Sequence, residues 1–194
     1  MAEVLLFHHA LGLTDGCIAF ADDLRAAGHV VHTPDLYDGR SFTDLAGGVA
    51  HAEEIGFETV IERGRSAAES LPAGVVYAGL SLGVLPAQML AQTRAGAQGA
   101  LLLYGCVPTS EFACPWPEDV PLQINMMESD PWVVDGDLPV ARDLAATTDA
   151  AELYVYPGEG HLFADSGAPG YDSGAATLLR QRVLAFLDEA GRRA

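Results

Sequence analysis

Six short apolar runs recur along this chain at near-regular intervals, separated by longer stretches of helical period, and this alternation restricts the fold more than any other feature. The runs are Val4 to His8, His29 to Thr33, Gly74 to Ala78, Gly99 to Tyr104, Leu122 to Met127 and Leu153 to Tyr156, mostly bounded by Gly, Pro or Asp. Runs this short and continuous fit strands buried on both faces. Helices are predicted for Asp15 to Ala27, within Ile55 to Ser70, and for Leu82 to Thr93, Leu138 to Thr147 and Ala175 to Glu189. The first has Thr14 or Asp15 as N-cap and Gly28 at the C-terminal cap. Strands joined through helices imply an α/β fold of about six mostly parallel strands with helices on both faces. With no repeat, low-complexity tract or linker in 194 residues, one domain over 1–194 is expected.

Loops at the carboxyl ends of such strands are where ligands bind. The third run leads directly into Gly79-Leu80-Ser81-Leu82-Gly83, followed by the helical Val84 to Leu90. A G-x-S-x-G sequence at a strand-to-helix junction is a turn so sharp that side chains at the two flanking positions would collide with strand and helix. The turn lifts the Ser81 hydroxyl above the sheet at a helix N-terminus, where the Leu82 N–H can face a developing oxyanion. The loop has neither the G-K-[ST] ending of a phosphate-binding loop nor a G-x-G-x-x-G dinucleotide signature.

A serine hydroxyl needs a histidine base, and the base needs an acid to hold its tautomer. Of six histidines only His161 follows Ser81, in Pro157-Gly158-Glu159-Gly160-His161 after the last run. The acid is expected after the preceding run, in Glu128-Ser129-Asp130-Pro131-Trp132. Asp130 is the choice, with Asp135 and Asp137 as alternatives and Glu128 less favoured. The second oxyanion donor is expected in His8-His9-Ala10-Leu11-Gly12, from the N–H of Ala10 or His9. The paired histidines do not read as a metal site, since neighbours at a strand end point to opposite sides and no Glu or His at ligand spacing joins them. Neither metal nor cofactor is expected.

Taken together, Pro34-Asp35-Leu36-Tyr37-Asp38-Gly39-Arg40, Ala78 to Gly83 and Tyr156-Pro157-Gly158-Glu159-Gly160-His161-Leu162-Phe163 resemble the dienelactone hydrolase family, and the likeness runs from about Val4 to the last helix. The resemblance implies a compact α/β-hydrolase acting on small esters or lactones, with Ser81, Asp130 and His161 at the nucleophile, acid and base positions. Three departures stand out. Well-studied members have cysteine where this chain has Ser81, and a glutamate in the first loop where His9 or its neighbour stands. They hold the substrate carboxylate partly through an arginine shortly after the histidine, where this chain reads Leu162-Phe163-Ala164-Asp165. An aspartate there repels a carboxylate, which weakens dienelactone itself as the substrate.

The remaining pocket candidates are aromatic residues of the sheet-end loops, Trp116 and Trp132 with Tyr37 and Phe112, although core packing explains each equally well. Arg40 is the basic residue in a loop at the right sheet end, and a surface turn explains it equally well. The Pro-rich excursion Gly105 to Asp119 implies a short cap over an open site. Its Cys106 and Cys114 sit on no elbow and in no electropositive surroundings, so neither reads as a nucleophile.

Composition bounds the partners. With 10 basic and 27 acidic residues the formal charge is -17, which repels nucleic acid and anionic membranes. Three cysteines without C-x-x-C spacing and no leader-like N-terminus suit a reducing cytoplasm. A monomer or homodimer is expected. The competing readings are an acyltransferase or thioesterase using the same three residues, and a binding protein that kept the fold without the chemistry.

Overall fold

A computed structural model of the protein describes residues 1–193. Six strands, β1 (Glu3–Phe7), β2 (Val30–His32), β3 (Val76–Leu80), β4 (Gly99–Leu103), β5 (Leu122–Met127) and β6 (Ala151–Tyr156), form one sheet in the order β2-β1-β3-β4-β5-β6. Every pairing is parallel. The expected α/β-hydrolase architecture is therefore present, and the sheet is wholly parallel.

Residue alternation divides the core into two layers. Leu5, Phe7, Tyr77, Leu102 and Ile124 face α2 (Leu45–Ile55), α3 (Phe57–Glu69), α4 (Val84–Thr93) and α5 (Asp137–Thr147). Val4, Leu6, Val76, Ala78, Leu101 and Leu103 face α1 (Asp15–Ala26) and α6 (Ser173–Arg193). Both faces are covered, which is why the strands read as continuous apolar runs.

The differences from the sequence expectation that bear on the site are two boundaries and one added helix. β3 is shifted two residues toward the elbow, because Leu80 still pairs with Leu103 immediately before Ser81. The predicted helix at Leu82 begins as a 3-10 turn, Ser81–Gly83, before α4 starts at Val84. Helix α2 has no counterpart in the prediction. Its Gly47 and Gly48 weaken the local helical signal, yet Asp44 caps it by accepting from the Gly47 N–H at 2.8 Å. A β-carbon at Gly48 would stand 2.1 Å from the Ala10 carbonyl oxygen, so close packing against the first loop fixes glycine there. No helix among the described residues is long and apolar enough to cross a membrane.

Candidate active site

The turn after β3 has the geometry its glycines suggest. Ser81 sits in the left-handed backbone region at φ 50°, a conformation that costs a non-glycine residue about 1–2 kcal/mol. A β-carbon on Gly79 would fall 2.3 Å from the Gly83 carbonyl oxygen, and one on Gly83 would fall 2.4 Å from that of Phe7. Both approaches involve backbone, so rotamer changes cannot relieve them. The strained serine is thus held by packing on either side.

The structure brings Ser81, His161 and Asp130 together from three strand ends. Ser81 Oγ and His161 Nε2 are 2.8 Å apart, and His161 Nδ1 lies 2.6 Å from Asp130 Oδ2. Asp130 is 1% exposed, and its other carboxylate oxygen accepts from the Trp132 N–H at 2.9 Å, so the acid is held at both oxygens. With Nδ1–H donating to the carboxylate, Nε2 is left to accept from the serine hydroxyl. The alternatives fall elsewhere. Glu128 and Asp135 are exposed, and Asp137 accepts from the Cys106 N–H at 3.1 Å.

A cleft of about 190 Å³ opens beside Ser81 and His161, walled by Val107, Trp132, Val133 and Asp137 among others. Trp132, expected as a pocket residue, is indeed on this wall, 48% exposed and 5.9 Å from the His161 ring. Leu82 also lines the cleft. Ala10 is buried in the loop after β1, against which Gly83 packs.

Other pocket expectations are corrected. Trp116 is buried in the core cluster, with its Nε1–H donated to the Val120 carbonyl at 2.7 Å, which pairs the indole's one polar group while its ring packs among apolar side chains. Tyr37 is core as well, its hydroxyl donating to the Gly48 carbonyl at 3.1 Å. Phe112 and Arg40 do not line the cleft, and Arg40 is an exposed turn residue.

His9 is fully buried away from the cleft, where its Nε2 lies 2.9 Å from Asp165 Oδ2 and 3.1 Å from Cys17 Sγ. Asp165 therefore does not face a substrate, contrary to the expectation drawn from its place after His161. The three side chains form a compact polar cluster whose ligand-type atoms lie within 4.8 Å of one another. No sequence spacing suggested it, since the residues lie on three separate segments. The short contacts are hydrogen bonds shared at one ring nitrogen, while His9 Nδ1 has no partner.

The adjacent histidines carry opposite pKa shifts. Burial drives His8 down to about 4, in keeping with a neutral ring that donates from Nδ1 to the His9 carbonyl and accepts the Leu36 N–H at Nε2. For His9 burial also opposes charge, but the bonds to Asp165 and Cys17 outweigh it and raise the ring to about 9. His8 contributes stability above the unfolded value of about 6.5 that is lost as pH falls toward 4. His9 contributes stability below about 6.5 that is lost as pH rises through about 9. Urea denaturation across pH 4 to 10 should give a maximum near neutrality, the alkaline limb falling by about 1–3 kcal/mol. That limb should flatten in Asp165→Asn, and an unchanged limb would remove the His9–Asp165 pair as its source.

The comparisons with known proteins agree with this architecture. A model of the dienelactone hydrolase family matches residues 1–191. No protein among those with curated descriptions matches the chain. Similar solved structures include a candidate dienelactone hydrolase from Klebsiella pneumoniae, 18% identical with a TM-score of 0.74, covering 97% of this chain and 87% of that one. Another is a dienelactone hydrolase-like promiscuous phosphotriesterase, P91, from metagenomic libraries, 19% identical with a TM-score of 0.74 and coverage of 98% and 87%. A cold-adapted esterase from an Arctic intertidal metagenomic library is 21% identical, with a TM-score of 0.61 and coverage of 93% and 82%. At these identities the structures speak for the fold, and the family match over nearly the whole length decides membership: the chain belongs to the dienelactone hydrolase family of α/β-hydrolases.

Proposed function

We propose that the protein is a serine hydrolase that cleaves small esters or lactones through an acyl-serine intermediate. The observation that carries this reading is the continuous hydrogen-bonded series Ser81, His161, Asp130, starting at a strained serine on the wall of an open cleft.

In the proposed reaction His161 Nε2 takes the hydroxyl proton as Ser81 Oγ bonds to the substrate carbonyl carbon. The carbonyl electron pair moves to oxygen, which receives hydrogen bonds from the N–H groups of Leu82 and Ala10. Collapse expels the alkoxide, which takes the proton from His161 and leaves as the alcohol; a lactone keeps its alcohol attached to the acyl group. Water then gives a proton to His161 and attacks the acyl-serine, and the same proton returns to Ser81 Oγ as the acid departs. Asp130 accepts from Nδ1–H throughout and stabilises the imidazolium formed in each half.

The cleft volume, about 190 Å³, suits a short acyl chain or a small ring and lies below the usual range for drug-sized ligands. Treatment with a fluorophosphonate probe, followed by intact-mass and peptide mapping, tests the reading. One adduct per chain on the Ser81 peptide is the expected result. Absence of an adduct on folded protein would count against an activated serine and favour the binding-protein alternative.

A further inference from the structure

Asp137, the first residue of α5, puts a carboxylate into the wall of the cleft that holds Ser81 and His161. Its Oδ2 accepts from the Cys106 N–H at 3.1 Å, which ties it to the loop after β4. A β-carbon at Gly105 would lie 3.3 Å from that oxygen and 3.5 Å from the Ser81 carbonyl oxygen, so the carboxylate and the nucleophile's backbone border the same small space.

The other charges near the cleft do not cancel it. Asp130 is 1% exposed, faces His161 at 2.6 Å and is not among the residues lining the cleft, so Asp137 is the carboxylate a substrate there would meet. The chain has no lysine, and none of its ten arginines lines the cleft. Trp132 offers an exposed indole on the same wall, a surface that attracts cations through its ring electrons. A carboxylate and an indole face beside a small apolar space, with no cation to offset them, make a receptor for positive charge.

We propose that Asp137 sets the charge selectivity of the site, favouring esters that bear a cationic substituent such as a quaternary ammonium and rejecting those that bear a carboxylate. The proposal rests on the serine-hydrolase reading and names the substrate class of that same site. It places the discrimination at Asp137 and not at Asp165, which is turned away toward His9.

The test compares kcat/KM at pH 8 for three thioesters of similar size: acetylthiocholine, its uncharged analogue S-(3,3-dimethylbutyl) thioacetate, and the anionic S-acetyl-3-mercaptopropionate. Wild type should prefer the cation over the neutral compound by roughly tenfold and disfavour the anion by a similar factor, as expected for charges several ångströms apart near a protein surface. Asp137→Asn, which keeps an acceptor for the Cys106 N–H, should bring both ratios toward one. Asp137→Ser serves as a second variant of different shape, and a thermal melt verifies folding of each. Serine-dependent turnover with ratios near one in wild type, or ratios unchanged in both folded variants, would overturn the proposal and leave the hydrolase reading intact. No turnover of any of the three compounds, or equal turnover by Ser81→Ala, would overturn both.

Discussion

Ser81→Ala should lower kcat on a short-chain p-nitrophenyl ester by about five to six orders of magnitude, the scale expected when the nucleophile of such a unit is removed. The reason lies in the geometry. The hydroxyl is 2.8 Å from His161 Nε2, whose Nδ1 is held by the buried Asp130 carboxylate, and among the described residues lining the cleft Ser81 is the one serine, threonine or cysteine. Cys106, the nearest thiol along the chain, is fully buried, and burial pushes its thiol up to about 12, so it cannot substitute as a thiolate. His161→Ala should be nearly as damaging, and the double variant no worse than either single one, because the groups act as a unit. Asp130→Asn should cost about 10⁴-fold, since asparagine turns the imidazole to the wrong tautomer. Thermal melts should stay close to wild type for Ser81→Ala, which removes one oxygen. A Ser81→Ala protein that keeps turnover within about tenfold of wild type would place the chemistry elsewhere, because uncatalysed hydrolysis lies many orders lower.

Gly83→Ala should be strongly destabilising, on a par with Gly79→Ala at the other side of the elbow. The new carbon would stand 2.4 Å from the Phe7 carbonyl oxygen and 2.7 Å from that of His8, both backbone atoms at the end of β1. No side chain can rotate away, so either the elbow or the first loop must move. Overpacking of this kind costs about 3 kcal/mol or more, equivalent to a fall of roughly 6–12 °C in Tm for a chain of this size. The loop that yields carries Ala10, so the surviving folded fraction should also lose kcat. Gly136→Ala is the control, since nothing lies within 4 Å of a β-carbon there; its effect should stay within about 1 kcal/mol. Equal melting temperatures for the two variants would refute the steric account of the elbow.

These effects trace back to features with very different visibility in the sequence. The elbow was legible because its glycines, its serine and the adjoining apolar run are contiguous. His161 was legible through chain order, being the one histidine after Ser81. Asp130 stood out from Asp135 and Asp137 only by position, and the structure separates them by contact: one reaches His161, one is exposed and one bonds the Cys106 N–H. The two tryptophans could not be told apart from spacing, since the difference between a wall and a core residue lies in which loops pack over it. His9 and Asp165 are 156 residues apart and follow strands separated by three others; they meet because the segment between β6 and α6 returns across the sheet ends, so their pairing left no local signal. Helix α2 was hidden for the opposite reason. Its Gly48 answers a distant backbone contact at Ala10, and local propensity misreads it.

The strand order also governs when the site can exist. β1 lies between β2 and β3, so the first strand made must wait for residue 80 before both its edges are paired. The elbow can form at that stage, but Asp130 follows β5 and His161 follows β6, the far edge of the sheet. During synthesis the serine is thus placed well before the histidine that would activate it. On the proposed mechanism, a nascent chain halted before β6 would carry an unactivated hydroxyl, and reactivity would arrive only as the last strand docks.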